Sequence, residues 1–213
     1  AEDFDGGTPE YTALNDATIE DAYVAHISYL NDRFEPDYLI IAIEVNELRM
    51  KSPEKWSGYK LLMTNVKSRI QTEYAGLRIS ESMTLHNLYE PDVPEPEEYL
   101  AEMVSYVNEL DFAAISFYPF FKGLNSTTDF QEAFDFLHAE ISRPIAFSET
   151  SHLSEDLSVD SFELFIESDE CEQNLYLETL FSNAFEQEYE YVIWWAHRDF
   201  YELWLTFPED VQD

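Results

Sequence analysis

Two glutamates stand out by where they fall. Glu47 closes the apolar run from Tyr38 through Ile40, Ile41, Ile43 and Val45, and Glu149 closes Pro144-Ile145-Ala146-Phe147-Ser148. Both runs read as strands buried in a parallel sheet. Carboxylates that end two different strands of one barrel can face each other across its mouth, which is the arrangement hydrolysis of a glycosidic bond requires. At a separation of about 5–5.5 Å one serves as acid/base and the other as nucleophile, and a covalent glycosyl-enzyme intermediate preserves the anomeric configuration. The acid must then be protonated while the nucleophile is ionised, and Asn46 and Tyr118 are the candidates for hydrogen bonds that keep them apart in pKa. Against this stands the plain reading that each is one surface carboxylate among 45 acidic residues. Their positions after long apolar strands favour function.

Two further residues are candidates for the sugar. Trp195 follows Tyr191-Val192-Ile193-Trp194, where an aromatic face is open to a pyranose ring, whereas Trp194 suits the core. His86 ends the short strand read over Leu77–Leu85 and is placed to bind a hydroxyl, though a lone histidine is as often structural. His152 and His197 fall in loops after the last two strands, where solvent exposure is expected ahead of a sugar-subsite role. No HExxH or CxxC spacing offers a metal site, Ser148 and Ser151 lack a G-x-S-x-G setting, and Cys171 has no neighbouring base. The chemistry needs no cofactor.

The elements that must position these residues alternate along the chain. Ile19, Tyr23, Ile27 and Leu30 recur at helical spacing before Pro36, and Ser52-Pro53 opens a helix whose face is Trp56, Tyr59, Met63, Val66 and Ile70. Further helices carry Tyr99, Met103, Tyr106 and Leu110, then Phe130, Phe134, Leu137 and Ile141, then Leu175, Leu180, Ala184 and Phe185. Thr150–Glu170 reads as a long acidic loop. Strands separated by helices make an α/β chain with a parallel sheet. With 5 Gly and no GxGxxG or P-loop, a (β/α)₈ barrel fits better than a doubly wound sheet.

Composition narrows the partners. The 45 acidic residues against 11 basic ones leave a net charge of −34, which repels phosphate backbones and anionic lipid. Nucleic acid and membrane surfaces are therefore not expected partners, and no apolar run reaches the roughly 20 residues that span a bilayer. The acidic residues are spread along the whole chain and Lys is scarce, as on a surface kept soluble in a salty environment. With a single cysteine no internal disulfide forms.

Several segments together resemble a known family. Ile43-Glu44-Val45-Asn46-Glu47 resembles the fourth-strand Asn-Glu signature of the retaining (β/α)₈ glycoside hydrolase clan, in which that Glu is the acid/base. Asp111–Phe120 is similar to the sixth-strand segment of the endo-β-1,4-galactanase family, with Phe117 where that family has Tyr. Arg143–Thr150 resembles the seventh-strand segment that carries the nucleophile, and Trp194-Trp195 the eighth-strand tryptophan under the sugar. The resemblance implies a partial TIM (β/α)₈ barrel holding strands four to eight with their helices. Residues 1–213 would form one catalytic-type domain lacking about the first three βα units of about 30 residues each. It implies an oligo- or polysaccharide substrate and a secreted or periplasmic setting, although this chain shows no signal peptide. Open barrel edges would invite self-association. The competing expectations are a non-catalytic carbohydrate-binding relative or inactive remnant, and a barrel with unrelated acid/base chemistry.

Overall fold

The computed structural model describes residues 13–159 and 163–195. The chain divides into two compact units, Ala1–Glu81 and Ser82–Asp213.

In the first unit Asp16 caps the helix α1 (Ala17–Phe34) by accepting from the Thr18 backbone N–H at 2.9 Å. The strand β1 (Tyr38–Ile40) pairs in parallel with β2 (Arg78–Ser80), in the register Tyr38↔Arg78 and Ile40↔Ser80. Between them lie α2 (Val45–Lys51) and α3 (Pro53–Glu73). Proline at its first position starts α3, and Trp56, Tyr59, Met63, Val66 and Ile70 are buried along one face, the stripe the spacing predicts.

The run ending at Glu47 is a shorter strand than its composition suggests. Glu44 takes a left-handed conformation, φ 52°, and turns the chain into α2. Asn46 and Glu47 thus occupy the first turn of a helix instead of a strand end. The strand is also only half-buried, with β2 its one partner among the described residues, where cover on both faces was expected.

In the second unit four parallel strands lie side by side in the order β3 (Ser82–Thr84), β4 (Ala113–Phe117), β5 (Ile145–Thr150) and β8 (Val192–Trp194). The helices α4 (Leu85–Tyr89), α5 (Pro96–Val107), α6 (Thr127–Glu140) and α7 (Glu170–Glu186) separate them in sequence. Ser126 and Asp129 form a reciprocal capping box that fixes the start of α6, and Asp169 caps α7. Every residue of β4 is buried. Parallel strands alternating with helices make the fold α/β, as the apolar runs predict.

Three elements differ from what the sequence pattern predicts. The stretch Leu77–Leu85 is two short strands on either side of Glu81, and His86 lies in α4. The acidic segment after Thr150 holds an antiparallel hairpin, β6 (Leu157–Val159) with β7 (Leu164–Ile166), paired Ser158↔Phe165. The buried face of α7 is Tyr176, Thr179, Leu180 and Asn183, while Phe185 is 87% exposed. Thr179 and Asn183 tolerate that burial because they donate to the carbonyls of Leu175 and Thr179, at 2.8 and 2.9 Å.

Candidate active site

The register of β5 decides where Glu149 points. Against β4 the pairing runs Ile115↔Phe147 and then Ser116↔Glu149, and against β8 it runs Phe147↔Val192 and then Thr150↔Trp194. One extra residue on β5 is accommodated between these pairs, with Ser148 donating to the Ile115 carbonyl at 3.1 Å. Such a bulge resets the alternation of side chains and is common beside functional sites. Phe147 and Thr150, three positions apart, consequently share the helix-covered face. Phe147 lies 5.8 Å from Phe134 of α6, and Thr150 is hydrogen-bonded to Tyr176 of α7. Glu149 is left on the opposite face, half-buried.

The same alternation orders the neighbouring strands. Phe117 faces the helices, 5.9 Å from Phe134 and 5.8 Å from Tyr176, so Tyr118 turns the other way and its hydroxyl donates to Oε1 of Glu149. On β8 the Trp194 ring lies 6.2 Å from Tyr176, and Trp195 follows on the Glu149 face with about half its surface open. Its backbone N–H donates to the Thr150 carbonyl at 2.8 Å, which ties the end of β8 to the residue beside Glu149. Tyr118, Glu149 and Trp195 are thus brought to one face at the C-terminal ends of adjacent parallel strands.

His86 reaches this group indirectly. It is 7% exposed, its ring 5.7 Å from Phe121, which in turn is 6.0 Å from Tyr118. Asn46 and Glu47 belong to the first unit. Asn46 is fully buried, and Glu47 is paired with the Lys51 ammonium one turn along α2. That hydrogen bond, with the attraction of the same carboxylate, holds the Lys51 amine above its ordinary pKa.

His152, expected at the surface of a loop, is buried, with 3% of its surface exposed. Its ring packs against Phe120, Phe130 and Tyr176 at 5.8, 5.5 and 5.7 Å, and Nδ1 is 3.1 Å from the Leu153 carbonyl and 3.4 Å from Ser168 Oγ. The aromatic residues around it come from three separate segments, so no local pattern marks it. His197 lies outside the described residues. Burial pushes the Tyr176 hydroxyl far above its ordinary pKa, so it stays a neutral donor behind the site. Among the described residues no cluster of three or more His, Cys, Asp or Glu is placed to hold a metal ion, and no helix is long and apolar enough to cross a membrane.

No protein-family model matches the chain, and no curated protein does. Solved structures do resemble it. A GH113 β-1,4-mannanase superposes with a TM-score of 0.52 at 14% identity, covering 91% of this chain and 56% of its own. An active-site mutant of the β-1,3-glucanosyltransferase of Rhizomucor miehei, in complex with laminaritriose, gives 0.55 at 17% identity, covering 85% and 64%. A fungal β-1,4-galactanase gives 0.56 at 12% identity, covering 88% and 61%. At such identities the likeness is one of fold. The chain spans 56–64% of the length of these structures and matches part of the (β/α)₈ barrel on which they are built.

Proposed function

We propose that the protein is a glycoside hydrolase that cleaves β-linked polysaccharide by retaining double displacement. The observation that carries this reading is the Tyr118 hydroxyl donating to Glu149 on the sheet face that also presents the open ring of Trp195. In the first step the Glu149 carboxylate attacks the anomeric carbon while Glu47 gives its proton to the glycosidic oxygen. The carbon–oxygen bond breaks, and a glycosyl ester forms on Glu149. Glu47 then takes a proton from water, which attacks the same carbon and releases Glu149. Asn46 and Tyr118 orient the two carboxylates, Trp195 stacks on a sugar ring, and His86 binds a hydroxyl. Residues 1–213 serve one catalytic-type domain. The names of the neighbouring structures, two β-1,4 and one β-1,3, support a β-linked substrate. The segments Asp111–Phe120 and Arg143–Thr150 put β-1,4-galactan first among substrates to try.

The experiment is release of reducing sugar from β-1,4-galactan, β-1,4-mannan and β-1,3-glucan by the intact protein and by Glu47→Gln and Glu149→Gln. Either substitution should remove nearly all activity, and activity that survives both contradicts the assignment.

One observation favours a second reading. The Lys51 ammonium already occupies Glu47, and this pair must open before Glu47 can donate a proton to a leaving group. A non-catalytic carbohydrate-binding relative needs no such opening. Calorimetric binding of oligosaccharide with no turnover selects it. Self-association through the edge of β8 that has no strand partner among the described residues is also proposed, and a sedimentation coefficient independent of concentration in molar salt rules it out.

A further inference from the structure

The chain that leaves β4 is turned sharply. Pro119 opens a short 3₁₀ helix, Pro119–Lys122, and Gly123 ends it in the left-handed region, φ 66°. The backbone N–H groups of Phe121 and Gly123 donate to the carbonyls of Tyr118 and Phe120, both at 3.1 Å. With about three residues per turn, successive side chains of such a helix point about a third of a turn apart. Phe120 therefore goes inward, its ring 5.8 Å from His152, while Phe121 stays 55% exposed.

One exposed phenylalanine says little by itself. Phe121 is unusual in being held. Its ring lies 4.7 Å from Phe120, 5.7 Å from His86 and 6.0 Å from Tyr118, so it is fixed over the ends of β3 and β4 with more than half its surface open. Tyr118 is the residue that donates to Glu149. In the strand order β3-β4-β5-β8, Glu149 on β5 thus has an open ring to either side, Phe121 just beyond β4 and Trp195 at the end of β8.

The spacing decides what these two rings can hold. β4 and β8 are two strand spacings apart, about 10 Å. One pyranose ring cannot cover both aromatic rings, whereas a linear chain of sugars can, with the bond between two of its members above Glu149. A phenylalanine ring has no polar atom and offers only an apolar plane, which the CH-lined side of a pyranose matches. We infer that Phe121 stacks a second sugar, on the side of Glu149 away from Trp195, and so makes the site specific for a chain that runs across the nucleophile. The inference rests on the sugar site proposed around Glu149. Its consequence is attack within a polysaccharide, because the chain is held on both sides of the bond that breaks.

The test uses intact protein carrying Glu149→Gln to block turnover and ring-¹³C phenylalanine as the reporter. It is titrated in molar sodium chloride with β-1,4-galactotetraose, β-1,4-mannotetraose and laminaritetraose. The expected result is a saturable shift of the Phe121 ring signals with at least one tetrasaccharide. Calorimetric affinity for that sugar should fall about fivefold or more in Phe121→Leu, which keeps apolar bulk against His86 but has no ring face, and should be restored in Phe121→Trp. The inference is overturned if the Phe121 signals stay still with all three sugars, or if Phe121→Leu binds as tightly as its parent. The first outcome needs no substitution at Phe121, so it decides the matter even where those variants do not fold. The hydrolase reading is judged separately, by the products that protein with Glu149 intact forms from the same sugars. No products while the Phe121 ring responds refutes hydrolysis and leaves the second stacking site standing, and products with a silent Phe121 ring do the reverse.

Discussion

Thr150 sits beside the proposed nucleophile and its hydroxyl joins two buried groups, so removing that hydroxyl is a sharp test of how the site is held. Oγ1 lies 2.6 Å from the Phe117 carbonyl and is also hydrogen-bonded to Tyr176, and both Thr150 and Tyr176 are fully buried. Thr150 has one hydroxyl hydrogen, which the carbonyl takes, so Tyr176 must be the donor in the second bond. Tyr176→Phe removes that donor but keeps the ring and its packing on Phe117 and Phe130, and should cost about 1 kcal/mol. Thr150→Val keeps the shape but leaves the Tyr176 hydroxyl buried without its acceptor and the Phe117 carbonyl without this donor. At about 1–3 kcal/mol for each of the two groups left unsatisfied, it should cost about 2–6 kcal/mol. In the double variant the stranded hydroxyl is gone, so it should be more stable than Thr150→Val alone by about 1–3 kcal/mol. For a chain of this length that recovery is worth about 2–4 °C in Tm for each kcal/mol. Urea unfolding in molar salt, followed by circular dichroism and by tryptophan fluorescence, gives the four stabilities. A double variant as unstable as the sum of the two single ones would refute the hydrogen bond between the two hydroxyls.

Other consequences are simpler to state. Tyr118→Phe removes a hydrogen bond to a charged carboxylate, worth about 1.5–3 kcal/mol, and should lower kcat about ten- to hundred-fold with little change in KM; an unchanged kcat denies Tyr118 its orienting role. With 45 acidic residues against 11 basic ones, raising sodium chloride from 0.1 to 1 M shortens the screening length from about 10 to 3 Å and should raise Tm; a flat or falling Tm contradicts the expected self-repulsion. Burial lowers the pKa of His138, against the opposing pull of Asp135, while its Nε2 is 2.7 Å from the Tyr189 hydroxyl. The unfolded chain then takes up a proton first as pH falls through about 6.5, so the His138 contribution is present above that value and lost below it. His138→Gln should lose less Tm between pH 7.5 and 5.5 than the parent, and an equal loss removes His138 from the account.

How much of this could be read from the sequence varies with the physics involved. Stripes of large apolar residues, as in α3 and α6, were legible because burial repeats with the helical period. The α7 stripe was misread because two of its buried members, Thr179 and Asn183, are polar and satisfied by hydrogen bonds, while the bulky Phe185 faces solvent. Composition likewise extended the first strand to Glu47, since apolar residues say nothing of the left-handed turn at Glu44. Glu149, Tyr118 and Trp195 stand out in the sequence as candidates, but what aims the glutamate does not. The extra residue at Ser148 is invisible in strand periodicity, which taken alone puts Glu149 and Phe147 on one face. The burial of His152 depends on rings from distant segments and left no trace in spacing.

Direct chemical labelling of the nucleophile decides most about the proposed reaction. Intact protein would be incubated with 2,4-dinitrophenyl 2-deoxy-2-fluoro-β-glycosides of galactose, mannose and glucose, then digested and mapped by mass spectrometry. A retaining enzyme accumulates the fluoroglycosyl ester because the electron-poor sugar is slow to hydrolyse. One added fluoroglycosyl group is expected, on the peptide containing Glu149 and absent in Glu149→Gln. A label on another carboxylate, in protein shown to turn over polysaccharide, would contradict it.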